Sequence, residues 1–184
     1  ERERLLFAEY REGGGEGRPS VGVPRALLVY DYAPLLIGFL NELGARAVLS
    51  SKTTKHITEE STELGYTDSC FPVKLLHGHA ATLQDVDYLL YPSAIRMGLK
   101  DGEENQKYTC PLVQASPYII REVMDLERKL LVPTLDFSLG DDDAVRNLSQ
   151  VARQMGFPSK KGQAAALAGL AAQRKYQEGL REIG

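Results

Sequence analysis

Four short apolar runs punctuate this chain: SVGV at 20–23, RAVLS at 46–50, DYLLYPS at 87–93 and KLLVPTLDF at 129–137. Between them lie longer stretches whose apolar residues return at helical spacing. Strands that are apolar along their whole length need cover on both faces, and alternation with amphipathic helices brings successive strands back parallel. The pattern predicts an α/β fold. It is an open, mostly parallel sheet flanked by helices in the doubly wound, Rossmann or flavodoxin-like manner, with a helical C-terminal extension. No internal repeat of fixed period competes with it.

The helices carry start and stop signals. Asp31 can cap a helix with Pro34 in its first turn, Leu35, Leu36, Phe39, Leu40 and Leu43 on one face, and Gly44 at its end. The RALLVY before it is ambiguous between strand and an irregular lead. Thr53 or Thr54 can cap a polar helix reaching Leu64, with Gly65 stopping it. Asp68 or Ser69 then caps a helix with Cys70 on its first turn and Val73, Leu76, Ala80 and Leu83 at helical spacing. Ser116 and Pro117 read as the N-cap and first turn of a helix carrying Ile120, Val123 and Met124. Asp141 or a neighbour begins another, with Ala144, Val145, Leu148, Val151, Ala152 and Met155 inward and Gly156 at its end. An alanine-rich helix from Ser159 to about Glu182 closes the chain.

At 184 residues, 43% hydrophobic and 26% charged, the chain can bury one ample core with a small appended helical part. Residues 1–19 form a helix-like segment and a glycine-rich linker, 20–157 the α/β domain, and 158–184 the C-terminal helix. A net charge of -3, with no basic run interleaved with aromatics, argues against a nucleic-acid partner. No stretch approaches the roughly 18 apolar residues of a membrane span, and ERERLLFAEY lacks the build of a signal peptide. Two cysteines in such a chain are expected to be reduced thiols, and the protein to be cytoplasmic. A first residue that is not Met, inside a charged helical pattern, implies a piece of a longer polypeptide.

Both cysteines stand just ahead of proline, Cys70 in SCFPVKLLHGH and Cys110 in YTCPLVQASPY. A cysteine there falls at a helix N-terminus, where unpaired N–H groups and the helix dipole favour a thiolate, the form that binds metal or attacks an electrophile. Each follows a strand in the predicted order, so both loops can meet at the carboxyl edge of the sheet, where open α/β folds gather functional groups. The plainer alternative is a small buried hydrophobe. Lys74, one turn beyond Cys70, can offset the charge of a thiolate or a metal–sulfur cluster. His77 and His79 would complete a zinc set, but residues two apart on a helix point to opposite sides. Gly102, Glu103, Glu104 and the Asp141–Asp143 run are explained by a loop tip and a helix N-terminus. No nucleotide-binding or serine-hydrolase motif is present.

Taken in order, VGVPRALLVYDYAPLLIGFLNELGARAVLSSKT, CFPVKLLHGH, YPSAI and CPLVQASPYI resemble the uncharacterised domain of CoA-substrate-specific enzyme activase proteins, over roughly residues 20 to 135. These are related to the 2-hydroxyacyl-CoA dehydratase and activator system. The resemblance implies a module that contributes Cys70 and Cys110 to an iron–sulfur cluster, used in ATP-driven electron transfer at low potential. Lys74, Gln114, Arg25 and His77 would be pocket or neighbouring groups. A cubane needs about four ligand positions, so this chain offers an incomplete set. ATP would bind only in neighbouring domains. The implied partners are other domains of the polypeptide, and a CoA thioester or a dehydratase-like protein. The alternatives are a ligand-binding or docking module with structural cysteines, and a zinc-binding structural domain.

Overall fold

The structure is a computed structural model and describes residues 1–11, 17–64, 69–97, 108–126 and 129–183. The core of the glycine-rich linker, Gly65, Asp68 and the acidic Gly102–Glu104 tip lie outside them. The first strand, β1 (Ser20–Val23), is buried along its whole length. It sits between β2 (Arg46–Leu49) and β3 (Tyr88–Leu90), and β5 (Leu130–Leu131) lies beyond β3, giving an all-parallel order β2-β1-β3-β5. The chain thus moves outward from β1 to β2 and then returns across β1 to β3. That reversal is the switch point of a doubly wound sheet.

Helix α1 (Arg2–Leu6) precedes the sheet, shorter than the ten-residue helical pattern suggests. Helix α2 (Val29–Leu43) begins two residues ahead of the predicted Asp31 cap, and Leu28 stands at its N-cap without a side-chain bond. Pro34 is therefore inside the helix rather than in its first turn. Gly44 ends it at φ 81°, a left-handed conformation that glycine adopts without strain. Helix α3 (Lys55–Glu63) is capped by Thr54, whose hydroxyl accepts from the Ile57 N–H.

Among the described residues, helix α4 (Phe71–Ala81) is the next element after α3, so Cys70 comes after a helix and not after a strand. Glycine lets the two helices touch: a Cβ at Gly78 would collide with the Ser61 hydroxyl and the Ile57 carbonyl. Right-handed crossovers put α2 on one face of the sheet and α4 on the other.

Two expected strands are each cut by a proline. DYLLYPS yields β3 and then β4 (Ser93–Arg96) beyond Pro92, and KLLVPTLDF yields β5 and then β6 (Thr134–Asp136) beyond Pro133. Proline has no N–H for the ladder. The prolines stand in matching register, with the Tyr91 N–H bonded to Leu131 and the Ser93 N–H to Pro133 itself. Past them, β4 and β6 pair as a separate parallel two-stranded sheet that prolongs the carboxyl edge.

Helix α5 (Pro111–Val123) starts five residues before the predicted cap, so Ser116 and Pro117 are interior and buried. The Ser116 hydroxyl bonds back to the Val113 carbonyl, within the helix. Helix α6 (Asp141–Gln154) has Gly140 at its N-cap and the three aspartates in its first turn, where the dipole favours them. Helix α7 (Ser159–Ile183) packs along α2 and α6. Gly38 and Gly169 bring α2 and α7 close: a Cβ on Gly169 would press the Leu35 carbonyl at 2.5 Å, and one on Gly38 would meet Ala172 at 2.9 Å.

Candidate functional site

In a parallel winding, a helix that leads into a strand runs antiparallel to it, so its N-terminus lies at the carboxyl edge of the sheet. Helix α4 leads into β3 and α5 into β5, and the two helices touch. Cys70 and Cys110 are their N-cap residues, so each thiol stands one position outside the helix. Neither sulfur caps its helix by a side-chain bond. The main chain does the capping, with Cys70 O accepting from Val73 and Lys74 and Cys110 O accepting from Val113 and Gln114. Both cysteines are free and exposed, which sets aside the reading of buried hydrophobes.

Cys110 is held by a braced approach. The Thr109 N–H donates to the Ile95 carbonyl at 3.0 Å, and its hydroxyl donates to the Ala94 carbonyl. Gln114 closes the turn by donating from Nε2 to the Thr109 carbonyl at 2.8 Å, while Ser93 Oγ donates to the Gln114 carbonyl at 2.9 Å. Arg96 pairs with Asp136 across β4 and β6 at 3.3 Å and lies over the Tyr108 ring at 4.8 Å. Gln114 therefore positions the backbone around Cys110, and Lys74 holds the equivalent place one turn into α4.

Large apolar side chains stand exposed next to these thiols in the chain: Phe71 (50%), Tyr108 (56%) and Leu112 (40%). Phe71 adjoins Cys70, and Tyr108 and Leu112 lie two residues either side of Cys110. Exposed apolar groups gathered at one place mark a contact surface.

The other two predicted pocket residues lie elsewhere. His77 is buried, with Nδ1 3.2 Å from the Val73 carbonyl, and burial lowers its pKa. It sits two helical turns from Cys70, roughly 10 Å along the axis. Arg25 follows β1 on the side facing β2, its N–H donating to Ser50 Oγ at 2.8 Å.

Ser50 begins a network that the sequence reading did not assemble. Its hydroxyl lies 2.9 Å from His79 Nδ1, and Thr53 Oγ1 lies 3.0 Å from His79 Nε2. Because Ser50 Oγ already accepts from Arg25, the simplest proton placement has it donating to Nδ1, with Nε2–H donating to Thr53. Burial first, then the Arg25 charge, push the His79 pKa down to about 4, so the ring is neutral at pH 7. The recoverable signal was Ser50 as the polar last residue of a predicted strand; nothing local pointed to His79 as its partner.

With both His79 nitrogens engaged and the His77 ring turned to its own helix, the four-ligand zinc set is not assembled. Among the described residues, no group of three or more His, Cys, Asp or Glu side chains is placed to hold a metal ion. The donor set present is two thiols, about half of what an iron–sulfur cubane takes. Taken alone, these residues do not make a cluster site.

The fold and its edge define an open parallel α/β domain that presents two helix-capping cysteines on an exposed, partly apolar surface. Residues 20–184 match the family described as the CoA enzyme activase uncharacterised domain (DUF2229), and the chain belongs to that family. The match takes in α7, beyond the span over which the motifs alone carry the resemblance. No curated protein and no solved structure matches the chain. None of the described helices is long and apolar enough to cross a membrane.

Proposed function

We propose that this domain is the thiol-bearing module of a CoA-enzyme-activase-related protein. Cys70 and Cys110 contribute two ligands to an iron–sulfur cluster, and the remaining ligands come from another domain or subunit. The carrying observation is that the chain's two cysteines cap touching helices at one edge of the sheet, exposed and beside exposed Phe71, Tyr108 and Leu112. A surface built to receive a partner accounts for both the exposed thiols and the apolar side chains around them.

The residues here have roles in binding and positioning. The two cysteines provide thiolates, and each stands at the positive end of a helix dipole, that of α4 or α5, which favours the thiolate form. Lys74 offsets negative charge, Gln114 fixes the turn that carries Cys110, and the apolar rim excludes water once a partner docks. A cluster bound between the two surfaces would supply low-potential one-electron chemistry. ATP hydrolysis belongs to neighbouring domains, the electron goes to a CoA-thioester-using or dehydratase-like partner, and the setting is the cytoplasm.

The test is anaerobic iron–sulfide reconstitution of the full polypeptide that contains this domain, comparing the parent with Cys70→Ser and Cys110→Ser by iron content and by EPR after reduction. Loss of a reducible cluster signal in both variants is the expected result. Unchanged iron content and signal in both would overturn the assignment and leave this domain a docking module.

A further inference from the structure

A second site, independent of the thiols, lies where β1 and β2 end. A cleft of about 470 Å³ opens there, lined among others by Arg25, Ser50, Ser51, Lys52, Phe7 and Glu3. Its floor is built to hold one guanidinium in place. The turn after β1 carries Leu27 at φ 47°, a left-handed conformation costly for a residue with a Cβ. Buried Tyr91 lies beneath that turn, its hydroxyl accepting from the Leu28 N–H at 3.3 Å and facing the Ala26 carbonyl at 3.5 Å. The Arg25 backbone is tied to Ser50, and through Ser50 to His79.

The Arg25 side chain is only 12% exposed, and its Nε is buried with no partner among the described residues. A guanidinium so confined, with a donor unspent, needs an anion. The anion it has comes from the chain itself. Glu3 on α1 accepts from Arg25 at 2.6 Å and from Lys52 at 3.0 Å, one carboxylate oxygen on each cation. Phe7, also from the N-terminal segment, lies 4.5 Å beneath the same guanidinium. Both residues precede the family domain, which begins at residue 20. The cations thus belong to the domain and the carboxylate does not.

The geometry points to an oxyanion-binding site beyond the carboxyl ends of β1 and β2, in which Arg25 and Lys52 receive a carboxylate- or phosphate-bearing ligand, and Glu3 fills their place as a tethered stand-in until that ligand displaces it. The site lies on the carboxyl edge of the sheet, the edge at which open α/β folds gather their functional loops. The Ser50–His79–Thr53 network keeps the Arg25 backbone in register without adding charge.

The ¹⁵N-labelled chain is titrated with inorganic phosphate and, separately, with malonate, at ionic strength held constant with chloride. The readouts are the Arg25 Nε–H and the amides of Ser51 and Lys52. Saturable shifts confined to these positions are expected, at least tenfold tighter in Glu3→Gln, where the competing carboxylate is gone. Arg25→Gln and Lys52→Gln should each weaken binding tenfold or more. Lys52 is 72% exposed, so its variant tests the site even if Arg25→Gln folds poorly. Tighter binding of phosphate names a phosphate-bearing ligand, and tighter binding of malonate a carboxylate. Glu3→Gln binding neither anion more tightly than the parent, or Lys52→Gln titrating like the parent, would show that Glu3 is a plain surface ion pair and overturn the proposal.

Discussion

His79 is completely buried between two hydroxyls, and its surroundings set how the domain responds to acid. A histidine whose pKa falls from 6.5 to about 4 on folding takes its proton more readily in the unfolded chain. Its neutral form is accommodated in full above pH 6.5, and stability is lost as the pH drops toward 4, by up to about 3 kcal/mol. His77 shifts in the same direction. Urea unfolding of the parent and of His79→Asn between pH 7 and 4 should show a shallower decline in the variant, and taking the difference cancels the carboxylates. Parallel curves would show that His79 does not titrate with unfolding. Gly78, its neighbour, is held to a bare Cα by the Ser61 hydroxyl and the Ile57 carbonyl. Gly78→Ala should cost about 3 kcal/mol by forcing α3 and α4 apart, read as a lower denaturation midpoint at unchanged slope. The sequence displays both residues without saying why they matter: a helical glycine between two histidines has no local signature of close packing.

Helix α2 shows how an element can be anticipated and still depend on a distant residue. Its apolar face and its Gly44 stop are readable from spacing alone, yet its start moved upstream and left Pro34 inside it. Gln173 of α7 repairs the break. Its carboxamide accepts from the Leu35 N–H at 3.2 Å and donates to the Asp31 carbonyl at 2.8 Å, the two groups an uninterrupted helix would bond to each other. Gln173→Leu leaves two backbone groups without that partner in a buried place and should destabilise by about 2–4 kcal/mol, measured by chemical denaturation. A loss within about 0.5 kcal/mol, typical of surface changes, would show that the ladder closes without it. The prolines 92 and 133 act the opposite way: each ends a ladder inside what the spacing read as one strand, and that both fall in one register, and so create a second sheet, follows only from the pairing of β3 with β5.

At the scale of the whole molecule, α7 is part of the fold and not a trailing appendage: it buries Ala165, Ala166, Leu170, Gln173 and Tyr176 against its neighbours. A chain ending after Pro158 would expose the face of α2 around Gly38. It should lose its near-UV circular dichroism and bind a hydrophobic dye, whereas a cooperative transition within a few degrees of the parent would show that α2 stands without cover. Composition and periodicity sufficed for the α/β class, the parallel sheet and the placing of Cys70 at a helix start, because capping, proline restriction and apolar spacing act over a few neighbouring residues. Tertiary structure alone decided that Arg25 meets Ser50 and shares Glu3 with Lys52, that Gln173 enters the ladder of α2, and that the helices bearing the two thiols touch. Those contacts join residues far apart in the chain, and they depend on strand order, crossover hand and register, which no local spacing encodes.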